Sequence, residues 1–323
     1  MKTYSIIIPH RNNIDGLLRL LKSIYDIDIK SSLFEEFKKN LTVYIIDDYS
    51  DKQEVEKLLD LNRNYKFTLL FNEGVRSAGA CRNIGLQNCN SDYVLFSDSD
   101  DFFAPNYFDV LLNLDNNDSD IIFFSPISVL DDDISRKSDR HIFYENVVKK
   151  YLNNKNAINE RILRFRWLGP WSKRFKRSFL DLNKINFDET IASNDVMFSV
   201  KSGYFAKNID AVDEPIYYLT RRKGSLIYSV NEDVIKARVS VGLRYKIFCD
   251  SKGFHEYKDH IFVHLMHGLW LKNKRFFKLL KYANKLGAFN DKKYFIKWGT
   301  RALIKSLLYF IKVNCFKTMF KLS

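Results

Sequence analysis

Residues 93–101 read YVLFSDSDD, so a short apolar run ends directly in the three carboxylates Asp98, Asp100 and Asp101. Such a run, with polar turn residues on both sides, is typical of a buried strand in a parallel sheet, and ligands of open α/β sheets bind at the carboxyl ends of these strands. Carboxylates this close repel one another unless a cation compensates them, and Mg²⁺ or Mn²⁺ prefers such oxygen ligands. The stretch therefore predicts a divalent metal site. The alternative is that one Asp caps the next helix and the others are solvated.

Three earlier apolar segments also end in polar residues. The patterns predict strands at 5–8, 41–46 and 67–71, with helical segments between them, and Asp47 and Asp48 follow the second strand. This alternation predicts an α/β fold with a mostly parallel, Rossmann-like sheet flanked by helices. The polar strand ends predict one ligand crevice at the carboxyl edge of that sheet.

Four sequence blocks resemble the nucleotide-sugar glycosyltransferases of family 2, which have the GT-A type of α/β fold. The blocks are SIIIPHRN (5–12), IIDDYS (45–50), NEGVRSAGACRNIGL (72–86) and FSDSDD (96–101). Their order and spacing match the family over the first 105 residues, and a weaker likeness continues to residue 226. The resemblance implies a nucleotide-sugar donor and transfer of the sugar with inversion at the anomeric carbon.

The resemblance also implies a donor site built from these blocks. Asp48 is expected to accept hydrogen bonds from a uracil-type base, while a structural cap is the alternative for Asp47. For Arg76 and Arg82, recognition of phosphate competes with an internal salt bridge. The donor-contacting residues that the resemblance implies are Pro9, Arg11, Asp48, Arg76, Arg82, Asp98, Arg222 and Ser225.

The acidic stretch is expected to provide the DxD pair of the family. Asp98 is expected near the ribose, and Asp100 is expected to bind Mn²⁺ or Mg²⁺ with it, whereas Asp101 is expected to be a structural acid. The segment RRKGS at 221–225 resembles a loop that folds over the donor diphosphate and contains Arg222 and Ser225. Simple solvation of its adjacent arginines is the alternative.

Asp195 is the candidate catalytic base, in the segment FDETIASNDVMF at 187–198. Glycosyl transfer needs a base that takes the proton of the acceptor hydroxyl, across the sugar from the leaving diphosphate. The matching motif of the family normally reads Glu-Asp, and here Asn194 replaces the Glu, which puts its acceptor-side contact in doubt. The alternative role for Asp195 is to cap the following helix.

An aromatic and basic segment at 161–179 lies between the acidic stretch and this base. The resemblance suggests that it forms the acceptor side of the cleft, with Trp171 stacked on a sugar ring. Ordinary packing is the alternative for both Trp167 and Trp171.

The positive charge of the chain lies at its C-terminal end. Residues 271–323 carry 14 Lys or Arg and one acid, Asp291, so their net charge of +13 equals that of the whole chain. Basic residues interleaved with aromatic ones on a helical face indicate contact with an anionic membrane surface, although the uncharged stretches are too short to span a bilayer. The alternative is a solvated helical cap. Nucleic-acid binding is disfavoured because no recognition motif accompanies the charge.

We expect two domains, a catalytic domain at 1–228 and a helical, basic extension at 229–323. Some relatives contribute a C-terminal histidine to the metal, which makes His264 and His267 candidates, with a helix-surface role as the alternative. The four cysteines show neither a disulfide framework nor metal-ligand spacing, which indicates the reducing cytosol. The predicted location is therefore the cytoplasm, peripheral to the inner face of the cell membrane.

The predicted function is metal-dependent transfer of a sugar from a nucleotide-sugar, specifically a UDP-sugar, to a hydroxyl of a glycan acceptor. A polyprenyl-diphosphate-linked acceptor in surface polysaccharide synthesis would suit attachment to a membrane. One alternative is a sugar-nucleotide-binding scaffold without turnover, because Asn194 replaces the expected Glu. Another is a sugar-phosphate nucleotidyltransferase, but HRNNID at 10–15 lacks the glycine-rich loop that such an enzyme needs.

Overall fold

The structure is a computed structural model that describes residues 1–27, 32–221, 231–253, 274–288 and 290. The chain divides into two compact units, Met1–Ser225 and Leu226–Ser323. Several predicted features lie outside the described residues: Arg222, Ser225, His264, His267 and most of the basic segment at 271–323.

The first unit is built on a seven-stranded sheet and a three-stranded sheet. Its strands are β1 (Tyr4–His10), β2 (Leu41–Asp47), β3 (Thr68–Phe71), β4 (Tyr93–Phe96), β5 (Phe102–Phe103), β6 (Ile121–Phe124), β7 (Ile127–Leu130), β8 (Lys173–Lys176), β9 (Ile209–Val212) and β10 (Tyr217–Arg221). The large sheet has the order β3-β2-β1-β4-β8-β6-β9, and the small sheet has the order β5-β10-β7.

Helices flank the large sheet. They are α1 (Ile14–Tyr25), α2 (Ser32–Lys39), α3 (Lys52–Asn64), α4 (Ala78–Asn88), α5 (Tyr107–Asn113), α6 (Ile142–Asn153), α7 (Ala157–Arg166), α8 (Arg177–Leu182) and α9 (Val196–Phe205). The predicted α/β fold with a mostly parallel sheet is confirmed, since β1 pairs in parallel with both β2 and β4, and β2 with β3.

The centre of the sheet is held by the apolar run of β1. Every residue of β1 is buried, as expected for a parallel strand that is covered on both faces. Helix α4 approaches it closely at Gly85, where a Cβ atom would lie 2.4 Å from Cγ2 of Ile7. The absence of a side chain at Gly85 therefore sets the distance between helix and sheet.

The one antiparallel insertion in the described part of the large sheet is β8, which pairs with both β4 and β6. Its sequence, KRFK, gave no strand signal because two of its four residues are buried cations. Arg174 is fully buried, with its guanidinium 3.8 Å from the centroid of the Tyr93 ring and a 2.8 Å hydrogen bond to the Leu114 carbonyl. These contacts with the Tyr93 ring and the Leu114 carbonyl make burial of the Arg174 charge possible.

The second unit contains the helices α10 (Glu232–Ser251) and α11 (Lys274–Lys285) among its described residues. Asn231 caps α10, because its side chain accepts a hydrogen bond from the backbone N–H of Asp233. No helix within the described ranges has the length and apolar character needed to cross a bilayer.

Candidate active site

The strand order brings the polar strand ends to one edge of the sheet. The register pairs His10 with Asp47 across β1 and β2, and Ile7 with Phe96 across β1 and β4. The loops after these parallel strands therefore leave the sheet side by side. This is the edge at which open α/β sheets bind their ligands.

Asp48 lies in a buried position just beyond β2 and is oriented by an amide. Nδ2 of Asn72 donates to its carboxylate at 2.7 Å, and the backbone N–H of Asp48 donates to the His10 carbonyl. Asp47 accepts from the backbone N–H of Ser50 at 3.0 Å, which is the structural cap that its sequence context suggested. A fixed carboxylate acceptor at this edge suits the N–H donor of a nucleobase.

Tyr49 completes this corner in a strained conformation. Its φ is +60°, in the left-handed region that side-chain-bearing residues seldom adopt, and its hydroxyl donates to the Gly74 carbonyl at 2.9 Å. The ring remains exposed. Pro9 is buried within β1, whereas Arg11 and Arg76 are exposed.

The acidic stretch gathers three carboxylates whose oxygens lie within 4.8 Å of one another: those of Asp98, Asp100 and Asp101. Asp101 is fully buried and bonded to β10, accepting from the Tyr217 hydroxyl at 3.0 Å and from the Thr220 backbone N–H at 2.7 Å. These contacts are those of a structural acid, which is the role expected for Asp101. It fixes the small sheet to the end of β4.

Asp98 and Asp100 remain as the groups that fit a divalent cation. Both are partly exposed, and burial together with the neighbouring Asp98 charge raises the pKa of Asp100 to about 6. Two crowded carboxylates form a donor set that Mg²⁺ or Mn²⁺ prefers, and a bound dication would favour their ionised forms.

Arg82 connects the acidic centre, which consists of Asp98, Asp100 and Asp101, to the segment that carries the candidate base Asp195. Its side chain is 6% exposed, and it bonds Asp98 at 2.5 Å through one terminal nitrogen and Asn194 at 2.9 Å through the other. Its guanidinium also lies 5.2 Å from the centroid of the Phe187 ring. The internal salt bridge, which was the alternative to phosphate recognition, is the contact that the structure contains.

Asp195 follows Asn194 at the start of α9, but its side chain makes no capping hydrogen bond. Burial raises the pKa of its carboxyl, and the Arg82 and Lys173 charges oppose part of this rise. The loop before it packs against α4 at Gly79, where a Cβ atom would lie 2.1 Å from the Asp188 carbonyl oxygen. A glycine is therefore required where the two segments meet.

Two further residues face this centre without any prior sequence signal. Arg140 donates to the Thr220 carbonyl at 2.7 Å, and its guanidinium lies 5.8 Å from the centroid of the Trp171 ring. Tyr144 packs on the same indole at a centroid distance of 4.7 Å and lies in the electric field of Asp195. Neither belongs to a motif, and the loop before α6 looks like an ordinary polar turn.

Trp171 is 5% exposed and Trp167 is fully buried. The indole of Trp171 stacks nearly parallel to the Tyr217 ring, at an interplanar angle of 3°. Both tryptophans therefore pack inside the protein, which was the alternative to stacking on an acceptor sugar. Trp171 acts as a platform for the groups around the acidic centre.

Comparison with known sequences decides the family. The sequence model of Glycosyl transferase family 2 matches residues 5–171, which is more than half of the chain and includes the acidic stretch. The chain belongs to this family. Family 2 membership confirms the resemblance found in the four sequence blocks.

Two curated relatives are both named as poly(ribitol-phosphate) glycosyltransferases. The chain is 26% identical over 223 residues to the poly(ribitol-phosphate) beta-N-acetylglucosaminyltransferase TarP of Staphylococcus aureus, a match that covers 68% of this chain and 63% of TarP. It is 28% identical over 251 residues to a poly(ribitol-phosphate) beta-glucosyltransferase of Bacillus spizizenii, covering 72% of this chain and 36% of that protein. The chain thus spans less than two thirds of the length of either relative.

Solved structures share the fold. Staphylococcus aureus TarS 1–349 in complex with UDP-GlcNAc aligns with a TM-score of 0.60 and 21% identity, covering 88% of this chain and 81% of that one. The mannosyltransferase PcManGT of Pyrobaculum calidifontis, in complex with GDP-Man and Mn²⁺, aligns with a TM-score of 0.52 and 13% identity, covering 95% and 86%. The chain therefore shares the fold of these two proteins, which confirms the expected GT-A type.

The Arg82 contacts generate a prediction about stability. Arg82→Met keeps an aliphatic stem on Phe187 but leaves Asp98 and Asn194 without their shared donor, so the free energy of unfolding should fall by about 2 kcal/mol. The matched change Arg76→Met removes an exposed arginine of the same segment and should alter it by less than about 0.5 kcal/mol. Urea denaturation measures both, and equal midpoints for the two variants would contradict the bridging role of Arg82.

Proposed function

We propose that this protein is an inverting glycosyltransferase that moves a sugar from a UDP-sugar to a hydroxyl of a polymeric or glycan acceptor. The observation that carries the proposal is the double contact of Arg82. One guanidinium joins Asp98 of the acidic centre to Asn194, the neighbour of Asp195. The candidate metal site and the candidate base are thus tied to one rigid group, as a reaction that needs both at one sugar requires.

In the proposed reaction, the carboxylate of Asp195 takes the proton of the acceptor hydroxyl as the oxygen forms its bond to the anomeric carbon. The bond from that carbon to the diphosphate breaks on the opposite face, and its electron pair leaves with the nucleoside diphosphate. Asp98 and Asp100 would hold Mn²⁺ or Mg²⁺, which supplies stabilisation of the departing negative charge. The raised pKa of Asp195 favours its role as proton acceptor.

The names of relatives support the choice of donor, product and acceptor. TarS has been solved with UDP-GlcNAc, and Asp48 of this chain offers a fixed acceptor for a uracil N–H. Both named poly(ribitol-phosphate) enzymes make beta linkages, which inversion of an α-linked UDP-sugar gives. A polyol-phosphate polymer is therefore the first acceptor class to test, and a polyprenyl-diphosphate-linked glycan is the second.

We further propose that the basic segment at 271–323 attaches the enzyme to the anionic inner face of the cell membrane. Its 14 Lys or Arg against one acid supply the attraction, and the segment also contains aromatic residues suited to the interface. A membrane-bound enzyme would meet a lipid-linked polymer where that polymer is made.

The catalytic roles predict different defects in two variants. Asp195→Asn should bind UDP in the presence of Mn²⁺ as the wild type does, but its turnover should fall at least about a hundredfold because the base is lost. Asp100→Asn should lose Mn²⁺-dependent UDP binding together with turnover. Asp132→Asn, which removes an exposed acid from the turn after β7, is the matched control and should resemble the wild type.

These outcomes are measured by isothermal titration with UDP and by release of UDP from a panel of UDP-sugars, with and without poly(ribitol phosphate). Full turnover by Asp195→Asn would contradict the assignment of the base. Donor binding without release by the wild type, even with lipid-linked acceptors supplied, would favour the scaffold alternative that Asn194 suggested.

Attachment to the membrane predicts flotation with anionic vesicles. Neutralising Lys297, Arg301 and Lys305 to Gln should markedly reduce flotation with phosphatidylglycerol vesicles, because each basic residue contributes about 1 kcal/mol near such a surface. The control replaces the exposed Lys52, Lys57 and Lys66 of the first unit with Gln, an equal change of charge, and should float as the wild type does. Equal flotation of both variants would contradict attachment through the basic segment.

A further inference from the structure

Arg140 lies beside the acidic centre and is held there by two different contacts. One terminal nitrogen donates to the Thr220 carbonyl at 2.7 Å, and the Trp171 ring lies 5.8 Å from the guanidinium carbon. Thr220 is itself part of the centre, because its hydroxyl donates to the Asp100 carbonyl and its backbone N–H to Asp101. Arg140 is therefore held, through Thr220, beside Asp100 and Asp101.

The neighbouring acids also stabilise the positive charge of Arg140. Burial lowers the pKa of its guanidinium, but attraction to Asp101, Asp98 and Asp100 outweighs this, so the pKa is raised overall. An arginine stays charged at every working pH. Arg140 is thus a permanent positive charge that interacts with each acid of the cluster.

The charge balance of the acidic centre leaves room for Arg140 to act on a ligand. Three carboxylates lie near two guanidiniums, that of Arg82, which is bonded to Asp98, and that of Arg140, whose charge acts on all three acids. A third guanidinium, that of Arg19, donates to the Asp100 backbone carbonyl and is paired with Asp131 at 2.8 Å, so its charge is matched there. Arg82 spends both terminal nitrogens on Asp98 and Asn194, whereas Arg140 makes one hydrogen bond within the described residues. Its remaining donors match the oxygens of a diphosphate in geometry and charge.

We propose that Arg140 is a second resident cation of the acidic centre, which binds the donor diphosphate and shares its neutralisation with the divalent metal. The inference rests on the proposed function, and it concerns a residue outside the four family blocks. Removing the charge of Arg140 should have an effect on binding that the loss of a purely structural residue would not have. A cation near the metal site repels the metal but attracts the diphosphate, so its removal should change the two affinities in opposite directions.

The test compares Arg140→Gln with Arg140→Lys in the full-length protein. Gln can still donate to the Thr220 carbonyl but carries no charge, whereas Lys keeps the charge without the planar fork. Arg136→Gln is the matched control, because Arg136 is exposed in the same loop. Mn²⁺ binding to nucleotide-free protein is measured by electron paramagnetic resonance, and binding of UDP and UMP in saturating Mn²⁺ by calorimetry.

For Arg140→Gln we expect Mn²⁺ to bind about threefold or more tightly and UDP to bind about tenfold more weakly. UMP should be affected much less, because it lacks the second phosphate. Because Arg140→Lys keeps the charge, its Mn²⁺ affinity should stay close to that of the wild type. Its UDP affinity should lie between those of the wild type and Arg140→Gln. Arg136→Gln should match the wild type in all three measurements.

Binding of Mn²⁺ and UDP by the wild type separates a failure of the proposed function from a failure of the role of Arg140. Wild type that binds neither Mn²⁺ nor UDP would overturn the metal and donor proposals, and this inference with them. Wild type that binds both, with Arg140→Gln unchanged or with Mn²⁺ and UDP both weakened alike, would overturn the role of Arg140 alone. Thermal unfolding of each variant identifies a loss that comes from misfolding, and Arg140→Lys then provides the deciding comparison.

Discussion

Three carboxylates crowd at the end of β4, and their charges are met to different extents. Asp101 is buried and satisfied by β10, Asp98 is bonded to Arg82, and Asp100 has a pKa raised to about 6 by burial and by its neighbour. Like charges at this distance would destabilise the fold unless cations or donors met them. Arg82, Tyr217 and Thr220 supply such groups.

The groups that contact these carboxylates come from distant segments that meet at one sheet edge. Arg82 comes from α4, Tyr217 and Thr220 from β10, and the loop before α9 supplies Asn194 beside Asp195. Gly79 lets α4 come within contact of that last loop. The candidate base is therefore positioned by the same helix whose arginine bonds the acidic centre, so the candidate metal site and the candidate base share one support.

The sequence predicted the parallel half of the sheet because β1 to β4 are apolar runs ended by polar turns. Strand ends differed by one or two residues, since local patterns do not fix where hydrogen bonding stops. The strand β8 escaped prediction because Lys173 and Arg174 are buried, the Arg174 charge being met by carbonyl oxygens and the Tyr93 ring. Arg140 escaped because its partners, Thr220 and Trp171, are distant in sequence. The candidate site residues Asp98, Asp100 and Asp195 could be proposed without tertiary information, although the choice of Asp195 depended on family resemblance.

We propose that the acidic centre and Asp195 act on opposite sides of one nucleotide-sugar. A crystal structure with Mn²⁺ and a non-hydrolysable UDP-sugar analogue, with the metal located by its anomalous scattering, tests it most directly. We expect an anomalous peak between the carboxylates of Asp98 and Asp100, the diphosphate next to it, and the anomeric carbon facing the carboxylate of Asp195. A peak away from these carboxylates, or a bound sugar whose face toward Asp195 is the face that carries the diphosphate, would contradict it.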